Sequence, residues 1–126
     1  MTALDLADDT FVVAPPKVLA KRLGEQAFWR KCWPQVSLDS YQDRGLEGRR
    51  WYVNGEVTGS AELWLEPYGD GTVVHLFLRA DPAPDKAKPR TVDKLRKRYT
   101  IALKDAVVGL KLELEAGRPP GVGRKG

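Results

Sequence analysis

Apolar and polar residues alternate through positions 56–66 and again through 72–80, with Pro67-Tyr68-Gly69-Asp70-Gly71 between them. A period of two places alternate side chains on opposite faces of a strand, so the two runs predict a β-hairpin. If Pro67 faces Thr72, then Leu65 faces Val74, Leu63 faces Leu76 and Ala61 faces Leu78. These last three pairs are all apolar, as one buried face of a sheet requires. The other face then sets Trp64 opposite His75, Glu62 opposite Phe77 and Ser60 opposite Arg79.

Residues 49–53 precede this hairpin, separated from it by Asn54-Gly55. Asn-Gly is a strong signal for a two-residue turn, because both residues tolerate positive φ. A regular two-residue turn there puts Trp51 and Val53 on the outer face with Trp64. A bulge at Gly59 would move them inward. Upstream, residues 10–14 read as a strand that Pro15-Pro16 ends. Residues 17–23 and 25–32 read as two short helices. Gly24 is a candidate left-handed cap between them, and Pro34 closes the second. Residues 36–42 read as another strand. Residues 81–90 hold Pro82, Pro84 and Pro89 and form a connector. Residues 91–116 then predict a helix of roughly 39 Å. Thr91 is its expected cap and Asp93 lies in its first turn, with Gly117 and Pro119-Pro120 as stop signals. Val92, Leu95, Tyr99, Leu103, Ala106 and Leu110 share one stripe of it.

The order of elements therefore predicts an α+β chain with about five antiparallel strands, two short N-terminal helices and one long C-terminal helix. With 126 residues, 42% of them apolar and 30% charged, one domain with its own core is expected. Its core would span about 9–118, and 119–126 would form a flexible basic tail. Cys32 and His75 are the sole cysteine and histidine, so neither an intrachain disulfide nor a His/Cys metal cluster is expected, and no cofactor is implied. Three aspartates and no basic residue stand in the first nine positions, and no apolar run approaches the length of a membrane span. A cytoplasmic location is expected. The net charge of +4 divides unevenly: residues 1–84 carry −3 and residues 85–126 carry +7. Any anionic partner would be met in the last third.

Four stretches carry a family resemblance. "FVVAPPKVLAKRL" looks like an opening strand, proline and first helix, and "FWRKCWPQV" like a second helix with a tryptophan-proline exit. "GSAELWLEPYGDGTVVHLFLRAD" looks like a last hairpin with an "LEP…GDGT" turn. In "LKDAVVGLKLELEAGR", Leu112, Glu115, Gly117 and Arg118 fit the ending of a C-terminal helix. In this order, over about residues 9–118, they resemble the START-like (SRPBCC) superfamily, the polyketide cyclase/dehydrase and lipid-transport family. The resemblance implies a helix-grip fold, a curved sheet wrapped around the long helix. It also implies a cavity between them for a hydrophobic or amphipathic small molecule, lipid-like or polyketide-like. Five strands are counted here against the six or seven usual for that superfamily, which argues against a large cavity. The superfamily has no universal catalytic residues, so none is assigned.

On that resemblance, Leu63, Leu65, Leu76, Leu78, Tyr99, Leu103, Ala106 and Leu110 would line the cavity. A stripe of this kind is also what an ordinary core looks like. Glu113 falls near the stripe, either as an acid at the cavity mouth with a raised pKa or as an exposed helix-end residue, the latter favoured. His75 is either a general acid–base or, by default, a surface histidine with Glu62 or Glu66 near it. Cys32 reads as a small buried hydrophobe. Lys86, Lys88, Arg90, Lys94, Arg96, Lys97 and Arg98 would suit the phosphates of a nucleic acid or of an anionic membrane. They lack interleaved aromatics, so a solvated helix face is favoured over a nucleic-acid surface. A polyketide cyclase or dehydratase activity, or an interaction module without ligand, are the alternatives to binding. A homodimer is the simplest cover for Trp64 and Phe77 on the sheet and for Ile101, Val108 and Leu112 on the helix, the alternative being an N-terminal segment folded over one of the two surfaces.

Overall fold

The computed structural model describes residues 2–116. Five strands, β1 (Leu4–Val12), β2 (Val36–Asp43), β3 (Gly48–Gly55), β4 (Val57–Tyr68) and β5 (Gly71–Pro82), form one sheet. Their order is β1-β5-β4-β3-β2, with every neighbouring pair antiparallel. Helices α1 (Pro16–Gly24) and α2 (Gln26–Cys32) lie between β1 and β2 in the chain, and α3 (Pro89–Glu115) follows β5. The chain is therefore α+β, a curved antiparallel sheet gripping a long C-terminal helix.

The β4–β5 hairpin has the register that alternation predicts. Leu65 pairs with Val74, Leu63 with Leu76, Ala61 with Leu78, Trp64 with His75 and Glu62 with Phe77. Its tight end is the pair Gly69-Asp70, where Gly69 has φ +56. Leu63, Leu65, Leu76 and Leu78 all point into the core.

The turn before β4 differs from expectation. The last β3–β4 pair is Val53 with Gly59, so the connection is longer than Asn54-Gly55 alone. Gly55 pairs instead with Val36 of β2, and the Glu56 N–H donates to the Gln35 carbonyl. The shifted register turns Trp51 and Val53 inward, 2% and 0% exposed, opposite Ala61 and Gly59. They leave the outer face.

Other boundaries move for physical reasons. The first strand is longer than residues 10–14 and starts at Leu4. It pairs with β5 over its whole length, burying Leu4 and Leu6 while Asp5, Ala7 and Asp9 point outward. Gly24 is the last residue of α1 without a left-handed φ, and Glu25 follows it in extended conformation. Helix α3 begins at Pro89, a residue suited to the first turn, so Thr91 lies inside the helix and is not its cap. Val107 joins Leu95, Tyr99, Leu103 and Leu110 on the buried stripe, while Val92 and Ala106 are half-buried. The stop signals at Gly117 and Pro119-Pro120, Arg118 and the expected tail lie outside the described residues.

Helix α3 runs alongside edge strand β1. Arg96 donates to the Ala3 carbonyl (3.3 Å), Lys104 meets Asp8 (2.8 Å), Lys111 donates to the Phe11 carbonyl (2.7 Å), and Glu115 accepts from the Val13 N–H (2.8 Å). The helix thus partners backbone groups at both ends of edge strand β1 and one of its side chains between them. On its other flank α3 meets α2. Trp33 Nε1 donates to the Tyr99 carbonyl (3.2 Å), and Trp29, Trp33, Trp51 and Tyr99 form a chain of contacting rings. This aromatic wedge holds α2 against both helix and sheet.

Candidate functional site

The family resemblance implies one wall of a site on the inner face of β4, β5 and α3. Leu63, Leu65, Leu76, Leu78, Tyr99 and Leu103 do meet there, each 2% exposed or less. Such low exposure means that these six side chains are packed against one another and leave little surface for water. Ala106 and Leu110 stand further along α3 and face a different space.

That space is a groove of about 610 Å³ between α1, α2 and α3. Phe28, Cys32, Ala102, Ala106, Gly109 and Leu110 supply its apolar surface, with Arg22, Lys31, Asp105 and Glu113 among its charged lining. Its size falls within the ~300–1,000 Å³ usual for small-molecule sites. Helical geometry explains the lining. Ala102, Ala106, Gly109 and Glu113 follow one another at three- and four-residue steps along the flank of α3 beside the core stripe. The small residues Ala102, Ala106 and Gly109 keep that flank low, and Phe28 forms the opposite side.

Glu113 does sit at the rim of this groove, but as half of an ion pair. Its hydrogen bond with Arg22 holds its carboxyl below the usual carboxylate range, assisted by the Arg22 and Lys31 charges. This is the reverse of the raised pKa that a buried mouth acid would show. Cys32 is buried and its thiol contacts the Ala102 carbonyl at 3.7 Å. Desolvation pushes its pKa up to about 12, so it stays a neutral thiol rather than a nucleophilic thiolate.

A second hollow, of about 560 Å³, lies at the other end of α3. Gly55, Glu56, Pro82, Ala83, Lys86, Thr91, Lys94, Leu95 and Arg98 surround it. Beside it, the Tyr99 hydroxyl donates to Glu56 Oε1 (2.9 Å), and Arg98 pairs with the same carboxylate oxygen. Burial, followed by the Glu56 hydrogen bond and charge, raises the Tyr99 pKa, so the phenol remains protonated. The polar partner of Tyr99 is thus Glu56, which sequence reading missed, and Glu113 is elsewhere.

His75 lies on the outer sheet face, stacked on Trp64 with ring centroids 4.3 Å apart. Its Nδ1 meets Asp9 (2.6 Å) and its Nε2 meets Glu66 (3.0 Å). Burial lowers its pKa, but the hydrogen bonds and charges of Glu66 and Asp9 outweigh that effect, and the net shift is upward. The imidazolium therefore gains more from the folded state than the neutral ring does. Its contribution is fully present below the ordinary value of 6.5 and is lost as pH rises through the higher folded value. Denaturation midpoints should fall over that window in the natural chain, and His75→Asn should lose this slope. A slope retained in the variant would assign it to another group.

No metal-binding cluster of His, Cys, Asp and Glu is found among the described residues. No helix there is long and apolar enough to cross a membrane. Most of the basic cluster is exposed, and Arg96 and Lys97 pair with Asp93.

No protein-family model matches the sequence, and no match was found among curated proteins. The fold does match solved structures. The Aha1 dimer from Colwellia psychrerythraea superposes with TM-score 0.63 and 14% identity, over 91% of this chain and 98% of that one. A START superfamily protein from Mycobacterium smegmatis gives TM-score 0.57 and 12% identity, over 87% and 98%. The fold is the START-like helix grip. The di-domain ARO/CYC StfQ from the steffimycin biosynthetic pathway also matches, with TM-score 0.50 and 16% identity. The alignment covers 90% of this chain and 49% of StfQ, so this helix grip spans about half of that protein. At these identities the likeness concerns the fold alone.

Proposed function

We propose that the chain binds a hydrophobic or amphipathic small molecule, lipid-like or polyketide-like, with α3 as one wall of the site. The observation that carries this reading is the apolar groove between α2 and α3, bounded by Phe28, Cys32, Ala102, Ala106, Gly109 and Leu110. START-like and ARO/CYC neighbours of the same fold support it. An apolar ligand would gain from burial at ~25 cal/mol per Å². A ligand too long for the groove would have to part α3 from the sheet and reach Leu63, Leu65, Leu76, Leu78, Tyr99 and Leu103.

Filling the groove tests this directly. Ala106 is only half-buried, so Ala106→Trp should fold while occupying the ligand's space. Titration with Nile red, competed by decanol, should saturate for the natural chain and vanish for Ala106→Trp at an unchanged melting temperature. Undiminished binding in the variant would move the ligand elsewhere. A cyclase or dehydratase reading is weaker, because the clearest polar pair, Tyr99 with Glu56, stands by the other hollow.

A second reading concerns assembly. On the outer sheet face Trp64 and Phe77 remain 41% and 36% exposed. The neighbouring charges already answer one another, Asp9 and Glu66 around His75 and Arg44 and Arg50 around Glu62. The apolar rings are what is left over, and the N-terminal segment joins the sheet edge as β1 without covering them. We propose a second copy of the chain as their cover, as in the neighbouring fold whose structure is a dimer. Sedimentation at micromolar concentration should give twice the chain mass, and Trp64→Ser should halve it. A monomer in both cases would remove the proposal.

A further inference from the structure

Most cations of α3 have an acidic or carbonyl partner: Arg96 and Lys97 with Asp93, Arg98 with Glu56, Lys104 with Asp8, Lys111 with Glu115. Lys94, and Lys86 before the helix, have no ion-pair partner among the described residues. Both line the 560 Å³ hollow, together with Arg98. Three cations therefore border one concave space, and Glu56 is the one carboxylate in its lining. Pro82, Ala83 and Leu95 give the same hollow an apolar part. Pro82 and Leu95 are buried, so this part continues into the core.

We propose that this hollow binds a small amphipathic oxyanion, a phosphate monoester on an apolar stem, with the phosphate at Lys86, Lys94 and Arg98 and the stem against Pro82, Ala83 and Leu95. It is a site separate from the groove between α2 and α3. Phosphate is favoured over a single carboxylate because its oxygens can engage three cations at once, and charge-assisted bonds are the stronger kind. Arg98 is the element that ties recognition to the protein's own structure. In the free chain its guanidinium is held by Glu56, whose Oε1 also accepts the Tyr99 hydroxyl. A phosphate arriving between Lys86 and Lys94 competes with Glu56 for Arg98. Glu56 is then a positioning residue that lowers affinity for anions while keeping the guanidinium at the rim. Thr91, in the same lining, has a hydroxyl able to donate to a phosphate oxygen.

Calorimetric titration of the full chain at low salt with hexyl phosphate, inorganic phosphate and hexanol tests the assignment. Hexyl phosphate should bind saturably, inorganic phosphate about tenfold or more weakly, and hexanol not at this hollow, because head and stem contribute together. Lys86→Ala with Lys94→Ala should weaken hexyl phosphate by about tenfold or more at an unchanged melting temperature, both side chains being exposed. Glu56→Gln removes the competing charge and should tighten binding. Added salt should weaken it. Ala106→Trp, in the other groove, should leave it unaltered, which separates failure here from failure of the groove reading. Pelleting with phosphatidylcholine vesicles that contain phosphatidic acid tells a lipid headgroup from a soluble phosphate. Vesicle binding without hexyl phosphate binding would overturn the pocket, since a charged surface alone explains it. So would hexyl phosphate affinity that the double alanine variant leaves intact, or no saturable binding at all.

Discussion

Leu76→Ala should lower the stability of the chain by about 2–5 kcal/mol, whereas Phe77→Ala, its neighbour in sequence, should cost far less. Leu76 is 2% exposed, pairs with Leu63 and belongs to the apolar sheet face beneath α3. Its truncation loses transfer energy and leaves a void that packed neighbours fill only in part. Phe77 points the other way and is 36% exposed. Urea denaturation of the two variants reads out the register itself. A one-residue slip of the hairpin would exchange the two side chains between faces and reverse the order of the losses. Equal midpoints for natural chain and Leu76→Ala would exclude this core.

Gly48→Ala should be at least as damaging, though it adds only a methyl group. Gly48 has φ +140 and ψ −150, a region that only glycine enters readily. A Cβ built there lies 1.9 Å from the Leu63 carbonyl oxygen and 2.7 Å from its carbon. Those atoms are β4 backbone and cannot swing aside as the end of a side chain can. The backbone strain of ~1–3 kcal/mol adds to ladder hydrogen bonds lost at ~1 kcal/mol each as β3 moves off β4. Gly45→Ala is the informative control. Gly45 has φ +60, but nothing lies within 4 Å of its Cβ position, so it carries strain without collision. Thermal melting should rank Gly48→Ala well below Gly45→Ala. The reverse ranking would contradict the pairing of Gly48 with Trp64.

The parts of the fold that could be read from the sequence are those fixed by short-range periodicity. The β4–β5 register followed from alternation because one residue of slip would have turned the two leucines of one strand outward. The α3 stripe followed from helical spacing, apart from Val107. The β3–β4 connection resisted the same treatment. Asn54-Gly55 is a sound local turn signal, yet pairing of Gly55 with Val36 and the hydrogen bond from Glu56 to Gln35 draw those residues toward β2. Non-local pairing outweighed a local preference. The start of β1 was hidden for another reason. Asp5, Asp8 and Asp9 give it the look of a solvated terminus, while Leu4 and Leu6 alone carry its buried face.

The sites were less legible because they are made across elements. Tyr99 stands on the periodic stripe of α3, but its partner Glu56 is 43 residues away in a connection that local turn signals leave open. The partners of His75 show the same effect: the hairpin supplies Glu66, whereas Asp9 belongs to the part of β1 that precedes the alternating residues 10–14. Among the eight expected lining residues, Ala106 and Leu110 border the groove, and the other six are packed side chains of the core. Ala102 and Gly109 carried the missing signal. They are small residues one helical step from Ala106, and they place a low flank of α3 opposite Phe28.

The most direct test of the account is a residue-resolved one. The chain, labelled with nitrogen-15, is titrated with decanol, a neutral apolar probe with no charge to attract it to the lysines at the far end of α3. Saturable amide shifts are predicted at Phe28, Cys32, Ala102, Ala106, Gly109 and Leu110, and they should disappear in Ala106→Trp. No saturable shifts, or shifts centred away from these residues, would contradict binding between α2 and α3.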